Sequence, residues 1–422
     1  MLRISSQNGG NQSDEQAWVL SKQRSISTVA PSHHVNTPTT GYYESGNRKC
    51  ERFRHARSWS WEPRPWSRFT SSPVTPWVSG TVVQHLLSRL QFTDMESRSY
   101  SWRKVIKPIS ELGSGYHVVA PDQRGFGRTT GWDAKNISSF RMLNLVTDII
   151  ALVFRLGYKT VDCLIGHDFG SPVAGYCALI RPDIFRSVVL MSAPFAGPPS
   201  FPSANQDPSG LAKKLSQGLA ALDPPRKHYV QHYAPPSFKA NDDMLQAPQG
   251  LPRFLRAFFH MKSADWPGND PHPLPSWDAS VLARLPEYYI MRSDKTMAET
   301  VAPHFPLGEP EWLTDSELSV FIDEFTRTTF QGGLNWYQFS ITMQPELLAF
   351  AQRRITIPAA FISGEKDWGM YQYPGALQTM RDFSCTEMGE DRVYIVKQAG
   401  HWVQQEQPEE VVRIISQFLL SV

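Results

Sequence analysis

The chain has 422 residues and a formal net charge of +2, with 41% hydrophobic and 19% charged residues. It is long enough to bury a large core, and one α/β domain with an insertion fits that length. A charge so near neutrality favours neither nucleic acid nor an anionic surface as partner, and no apolar run approaches the roughly 18 residues needed to span a bilayer.

Residues 1–95 are dominated by Ser, Pro, Arg and Gln, with Trp59, Trp61, Trp66 and Trp77 set among prolines and arginines. The first ten residues lack the apolar core of a signal peptide. Within this segment only residues 77–83 read as a strand, so it is expected to be disordered, or translated sequence foreign to the rest. From Glu96 onwards the pattern changes. Residues 116–122 form a short β-branched run that leads into Gln123-Arg124-Gly125-Phe126-Gly127. Residues 144–156 carry apolar positions spaced for one helix face and end at Gly157. Residues 161–165 and 187–191 are apolar runs of buried-strand length. Strands alternating with helices imply a parallel sheet covered on both faces. Between about residues 195 and 343 the alternation lapses into a Pro- and aromatic-rich region with helical pieces. It resumes with strand candidates at 357–362 and 392–396, and residues 409–419 read as a closing amphipathic helix.

The chemistry centres on Gly166-His167-Asp168-Phe169-Gly170-Ser171, which follows the strand at 161–165 and opens a helix. Strand, sharp turn and helix make a nucleophile elbow. The tip carries a carboxylate where esterases have a serine. A carboxylate attacking saturated carbon leaves an alkyl ester on itself, which water can cleave. Such a site suits epoxide opening or halide displacement. Two later strands each end in a titratable residue, which is where α/β folds gather their sites. The first offers Glu365 and Asp367, the second His401. The order carboxylate, acid, histidine is that expected of the fold. His401 would deprotonate water while the acid held the other ring nitrogen. Cys50, Cys163, Cys177 and Cys385 show no paired or metal-ligand spacing, which suggests a reducing, cytoplasmic setting.

Residues 96–422 resemble the epoxide hydrolases of the α/β-hydrolase fold, of the soluble and fungal type. The resemblance rests on Ser101-Trp102-Arg103, the run 120–127, Gly166-His167-Asp168-Phe169-Gly170, Leu334-Asn335-Trp336-Tyr337 and Ala399-Gly400-His401-Trp402. It implies core segments at 96–194 and 344–422, a helical lid at 195–343, Asp367 rather than Glu365 as the acid, and no cofactor or metal. Two lid tyrosines are expected to hold the epoxide oxygen. Tyr337 matches the second. Tyr229 is the expected first, with Tyr233 one helical turn away as the alternative. The Phe169 N–H, at the helix start, is an expected oxyanion donor. The implied substrate is an apolar epoxide, with water as co-substrate.

Two departures temper this resemblance. The family has three strands before residue 96, the third ending in a His-Gly-x-Pro turn that supplies a second oxyanion N–H. Here Leu90-Gln91-Phe92-Thr93-Asp94-Met95 stands in that place. Losing one such donor costs roughly 10²–10³ in rate in acyl transfer. The sheet is therefore expected to lack its inner strand, its N-terminal strands being missing or replaced. The alternatives are a haloalkane dehalogenase, disfavoured because Phe169 has no ring N–H for a halide, and an inactive remnant that keeps a small-molecule pocket.

Overall fold

The computed structural model describes residues 86–92, 99–113, 115–201, 208–235, 237–340, 344–386 and 388–422. The strand expected at 77–83 and the disorder expected of the first residues lie outside these segments. Among the described residues six parallel strands form one sheet in the order β2-β1-β3-β4-β7-β8. They are β1 (Leu86–Phe92), β2 (His117–Val119), β3 (Cys163–Asp168), β4 (Val188–Met191), β7 (Ala359–Gly364) and β8 (Val393–Val396). Between β4 and β7 the chain makes a separate antiparallel pair, β5 (Arg226–His228) with β6 (Ile290–Arg292).

The position of β1 corrects the expectation of a missing inner strand. Leu86–Phe92 lies between β2 and β3 and pairs with both, placing Leu87 opposite Cys163 and Phe92 opposite Asp168. The strand also begins before the boundary expected at Glu96. Its sequence, Leu-Leu-Ser-Arg-Leu-Gln-Phe, has no β-branched residue and carries Ser88 and Arg89 at its centre. Intrinsic preference therefore gave no signal, and pairing on both sides decides the conformation.

The other central strands carry apolar runs because both faces are covered. Cys163, Ile165, Val189, Met191, Ala360 and Ile362 pack on one side with helices α1 (Arg103–Ser110) and α14 (Pro408–Leu420). Leu164, Val188, Leu190, Ala359 and Phe361 pack on the other with α2 (Met142–Arg155) and α3 (Gly170–Ile180). This division of alternate residues follows from the two-residue repeat of a strand. The helices read at 144–156 and 409–419 thus appear as α2 and α14.

The segment between β4 and β7 holds eight helices among the described residues: α4 (Pro208–Ala220), α5 (Tyr229–Tyr233), α6 (Lys239–Leu245), α7 (Leu251–Lys262), α8 (Ala279–Leu282), α9 (Met297–Val301), α10 (Asp315–Thr328) and α11 (Gln331–Ser340). They enclose a second apolar core rich in aromatic rings, which Trp368 and Trp402 join from the segments after β7 and β8. Helices α12 (Ala376–Thr379) and α13 (Val403–Glu406) complete the chain's order before α14.

Candidate active site

Asp168 ends β3, and its backbone φ of 49° lies in the left-handed region that L-residues avoid. That conformation turns the chain sharply from β3 into α3 and places the carboxylate at the tip of the turn. The turn is tight enough that a methyl group at Gly166 would meet the carbonyl of Gly170 and the side chain of Ala174. Phe169 is the cap residue that precedes α3.

His401 brings the two carboxylates together. Its Nε2 is 2.7 Å from Asp168 Oδ2 and its Nδ1 is 3.1 Å from Asp367 Oδ1. All three residues are buried. Asp367 Oδ1 also accepts the Gly369 N–H at 2.7 Å, and its Oδ2 accepts the Ser363 hydroxyl at 3.2 Å. Burial works against the charge on Asp367, but His401 and these donors hold its carboxyl below the usual carboxylate value. Glu365, the competing acid, is exposed. Burial and the nearby Lys262 oppose a charge on His401, yet the two flanking carboxylates lift its pKa to about 9. With a carboxylate on each ring nitrogen, the resting ring carries both protons.

His167, next to the nucleophile position, has the opposite environment. Burial, reinforced by His401, pushes it down to about 3. Its neutral Nε2–H donates to the His401 carbonyl at 2.7 Å, because a carbonyl can only accept. His167 thus ties the end of β3 to the His401 loop.

Tyr337, on α11, packs edge-on against Phe169 with ring centroids 5.1 Å apart. Tyr229 and Tyr233 both touch Tyr337, at 5.6 and 5.2 Å between centroids. All three rings are buried, and the Tyr229 hydroxyl donates to Gln372 Oε1 at 3.3 Å. The expected tyrosines therefore gather beside the elbow, and Tyr229 and Tyr233 are both within reach of Tyr337. The indole of Trp336 donates to the Arg124 carbonyl at 2.9 Å, so this neighbour of Phe169 has its N–H engaged elsewhere.

Sequence reading missed two groups. Lys262, the last residue of α7, is 2% exposed and its Nζ lies 4.0 Å from Asp168 Oδ2. The carboxylate of Glu406 accepts the N–H groups of Ala264, Gly400 and Trp402 at 2.8, 2.9 and 3.0 Å. Neither residue sits in a motif or at a strand end. Only the packing of α7 and α13 against the His401 loop reveals them.

Residues 95–408 match the family model described as alpha/beta hydrolase fold. The chain is 30% identical over 336 residues to epoxide hydrolase B of Mycobacterium tuberculosis, covering 76% of this chain and 87% of that protein. The chain belongs to the epoxide hydrolases of the α/β-hydrolase fold. It is also similar to the solved structure of an epoxide hydrolase from an endophytic Streptomyces, with 27% identity, a TM-score of 0.63, and coverage of 80% of this chain and 89% of that one. Epoxide hydrolase A of Mycobacterium thermoresistibile gives 26% identity and a TM-score of 0.60, over 81% and 93% of the two chains. Among the described residues no helix is long and apolar enough to cross a membrane.

Proposed function

We propose that the chain hydrolyses an apolar epoxide to a vicinal diol through an alkyl ester on Asp168. One observation carries this reading: a carboxylate at the tip of the elbow lies 2.7 Å from an imidazole that a second buried carboxylate orients. The helical segment between β4 and β7 acts as the lid and supplies Tyr337 and Tyr229, with Tyr233 as the alternative partner.

Asp168 attacks one epoxide carbon while the phenols donate to the oxygen, and Tyr337 gives its proton to the departing alkoxide. Esterification removes the negative charge that helps keep His401 protonated. Its pKa falls, and its proton returns to the tyrosinate by way of solvent. Neutral His401 then takes a proton from water as the water oxygen adds to the carboxyl carbon of Asp168. The Phe169 N–H stabilises the resulting oxyanion. Collapse expels the diol oxygen, which His401 protonates, and the proton left on the new Asp168 carboxyl passes to His401, restoring the imidazolium and a carboxylate that carries one oxygen from water. The aromatic rings around the site favour an apolar substrate. A reducing, cytoplasmic setting suits the buried thiols of Cys163, Cys177 and Cys385.

The test is covalent trapping. His401→Gln should accumulate protein heavier by the mass of an added aryl epoxide, located on the peptide containing Asp168, and its turnover should fall at least about 10³-fold. Asp168→Asn should give no adduct. Turnover by Asp168→Asn at the unmodified rate would rule out the ester.

A further inference from the structure

The buried lysine beside the nucleophile has no part in the scheme above. Lys262 ends α7 inside the protein, and its Nζ lies over the rings of Phe258, Tyr289 and Trp402, at 5.6, 5.6 and 5.3 Å from their centroids. These rings leave the ammonium directed at Asp168 Oδ2, 4.0 Å away. The same oxygen faces His401 Nε2. An ammonium desolvated to this degree is costly, and a methionine or leucine would fill the space without that cost.

The backbone around Lys262 fixes its position. Its carbonyl accepts the His401 N–H at 2.8 Å. Asn269 donates to the carbonyls on either side, Met261 at 2.9 Å and Ser263 at 2.7 Å, and the Tyr288 hydroxyl holds Asn269 Oδ1 at 2.7 Å. A side chain at Gly400 would collide with the backbone of residues 262–264, so glycine there permits this close approach. The lysine and the histidine are therefore held on one frame.

We propose that Lys262 is a catalytic residue for the second half of the reaction, stabilising the charge that Asp168 Oδ2 gains when water adds to the ester. This rests on the epoxide-hydrolase reading given above. The alkyl group is carried on Oδ1. The water oxygen bonds to Cγ, its proton passes to His401 Nε2, and the carbonyl π pair moves onto Oδ2 beside the ammonium. When that pair returns, the Cγ–Oδ1 bond breaks, Oδ1 leaves as the diol oxygen, and His401 returns the proton to it. The ammonium attracts Oδ2 more strongly as an oxyanion than as an ester carbonyl oxygen, so it lowers the barrier rather than merely strengthening the ground state. This contribution adds to that of the Phe169 N–H in a chain that lacks the His-Gly-x-Pro turn.

The experiment is rapid quench with intact-mass detection of the covalent enzyme, using the full chain and an aryl epoxide. K262M should form the Asp168 adduct at the normal rate and hydrolyse it roughly 10²–10³-fold more slowly, so that adduct dominates at steady state. The acid limb of ester hydrolysis should also move to higher pH, because the lysine no longer opposes protonation of His401. An adduct that decays at the normal rate, or slow formation with normal decay, would overturn the proposal. Should K262M fail to fold, K262R and K262Q decide it: the charged variant should hydrolyse the ester faster than the neutral one, and equal rates overturn it. If the unsubstituted enzyme forms no adduct at all, the epoxide reading itself fails, which is a different result.

Discussion

Glu406 shows how much of a site can depend on a residue that touches no reacting atom. Its two oxygens accept backbone N–H groups on both flanks of His401 and one from Ala264, two residues beyond Lys262. One carboxylate thereby fixes the loop that presents the imidazole and the end of the helix that presents the ammonium. Glu406→Gln keeps the shape but turns one acceptor into a donor facing an N–H. At least one buried N–H then loses its partner, at a cost of about 1–3 kcal/mol. We expect a lower melting temperature and a fall in kcat with little change in KM, read by calorimetry and steady-state kinetics. Unchanged kcat would show that the loop holds His401 without this carboxylate. At this scale the sequence was legible where chemistry and position coincide. Asp168, Asp367 and His401 each stand at the end of an apolar strand, a place that composition and alternation reveal. Lys262 and Glu406 each end a helix, Glu406 one of only four residues, where a charged residue normally faces water and carries no signal of burial.

Helix α11 brings Tyr337 to the elbow because two glycines meet. Its first turn crosses the loop after β2 so closely that a methyl group on Gly332 would run into the carbonyl of Gly125, which itself has φ of 94°. Asn335 donates to the Ala134 carbonyl at 3.0 Å and Trp336 to that of Arg124 at 2.9 Å, while Arg327 donates to that of Gly127 at 3.0 Å. The glycine-rich loop is thus a bracket for the helix that carries the tyrosine. Gly332→Ala should force the two backbones apart at a cost of about 1–3 kcal/mol and move Tyr337 away from Phe169. Thermal melts and kcat should both fall, whereas Gly308→Ala, where a methyl group meets nothing, should change neither. Equal behaviour of the two variants would remove the bracket argument. The elements legible in the sequence were those with a strong period: α2 and α14 on their apolar stripes, and β3, β4 and β7 on their unbroken apolar runs. The short helices between β4 and β7 were legible only as helical pieces, because their burial is shared among many aromatic rings from distant parts of the chain.

At the scale of the molecule, the sheet depends on a strand the sequence did not advertise. β1 is paired along six consecutive positions with β3, and among the described residues β2 reaches the rest of the sheet only through β1. Removing it would expose one full edge of β3, the strand that carries Asp168, and cut β2 from its neighbours. Each buried backbone group left unpaired costs about 1–3 kcal/mol, against a total stability of about 5–15 kcal/mol for a typical domain. Loss of β1 therefore exceeds what the fold can absorb. Residues from Thr81 onwards form one compact unit. A chain that starts at Thr81 should melt cooperatively and resist limited proteolysis, and one that starts at Glu96 should do neither. Cooperative melting of the shorter chain would mean that another segment can take the inner position. Its failure, beside a stable longer chain, would show that the strand at residues 86–92, with Ser88, Arg89 and Gln91 among its apolar residues, is as necessary to the nucleophile as the strands around it.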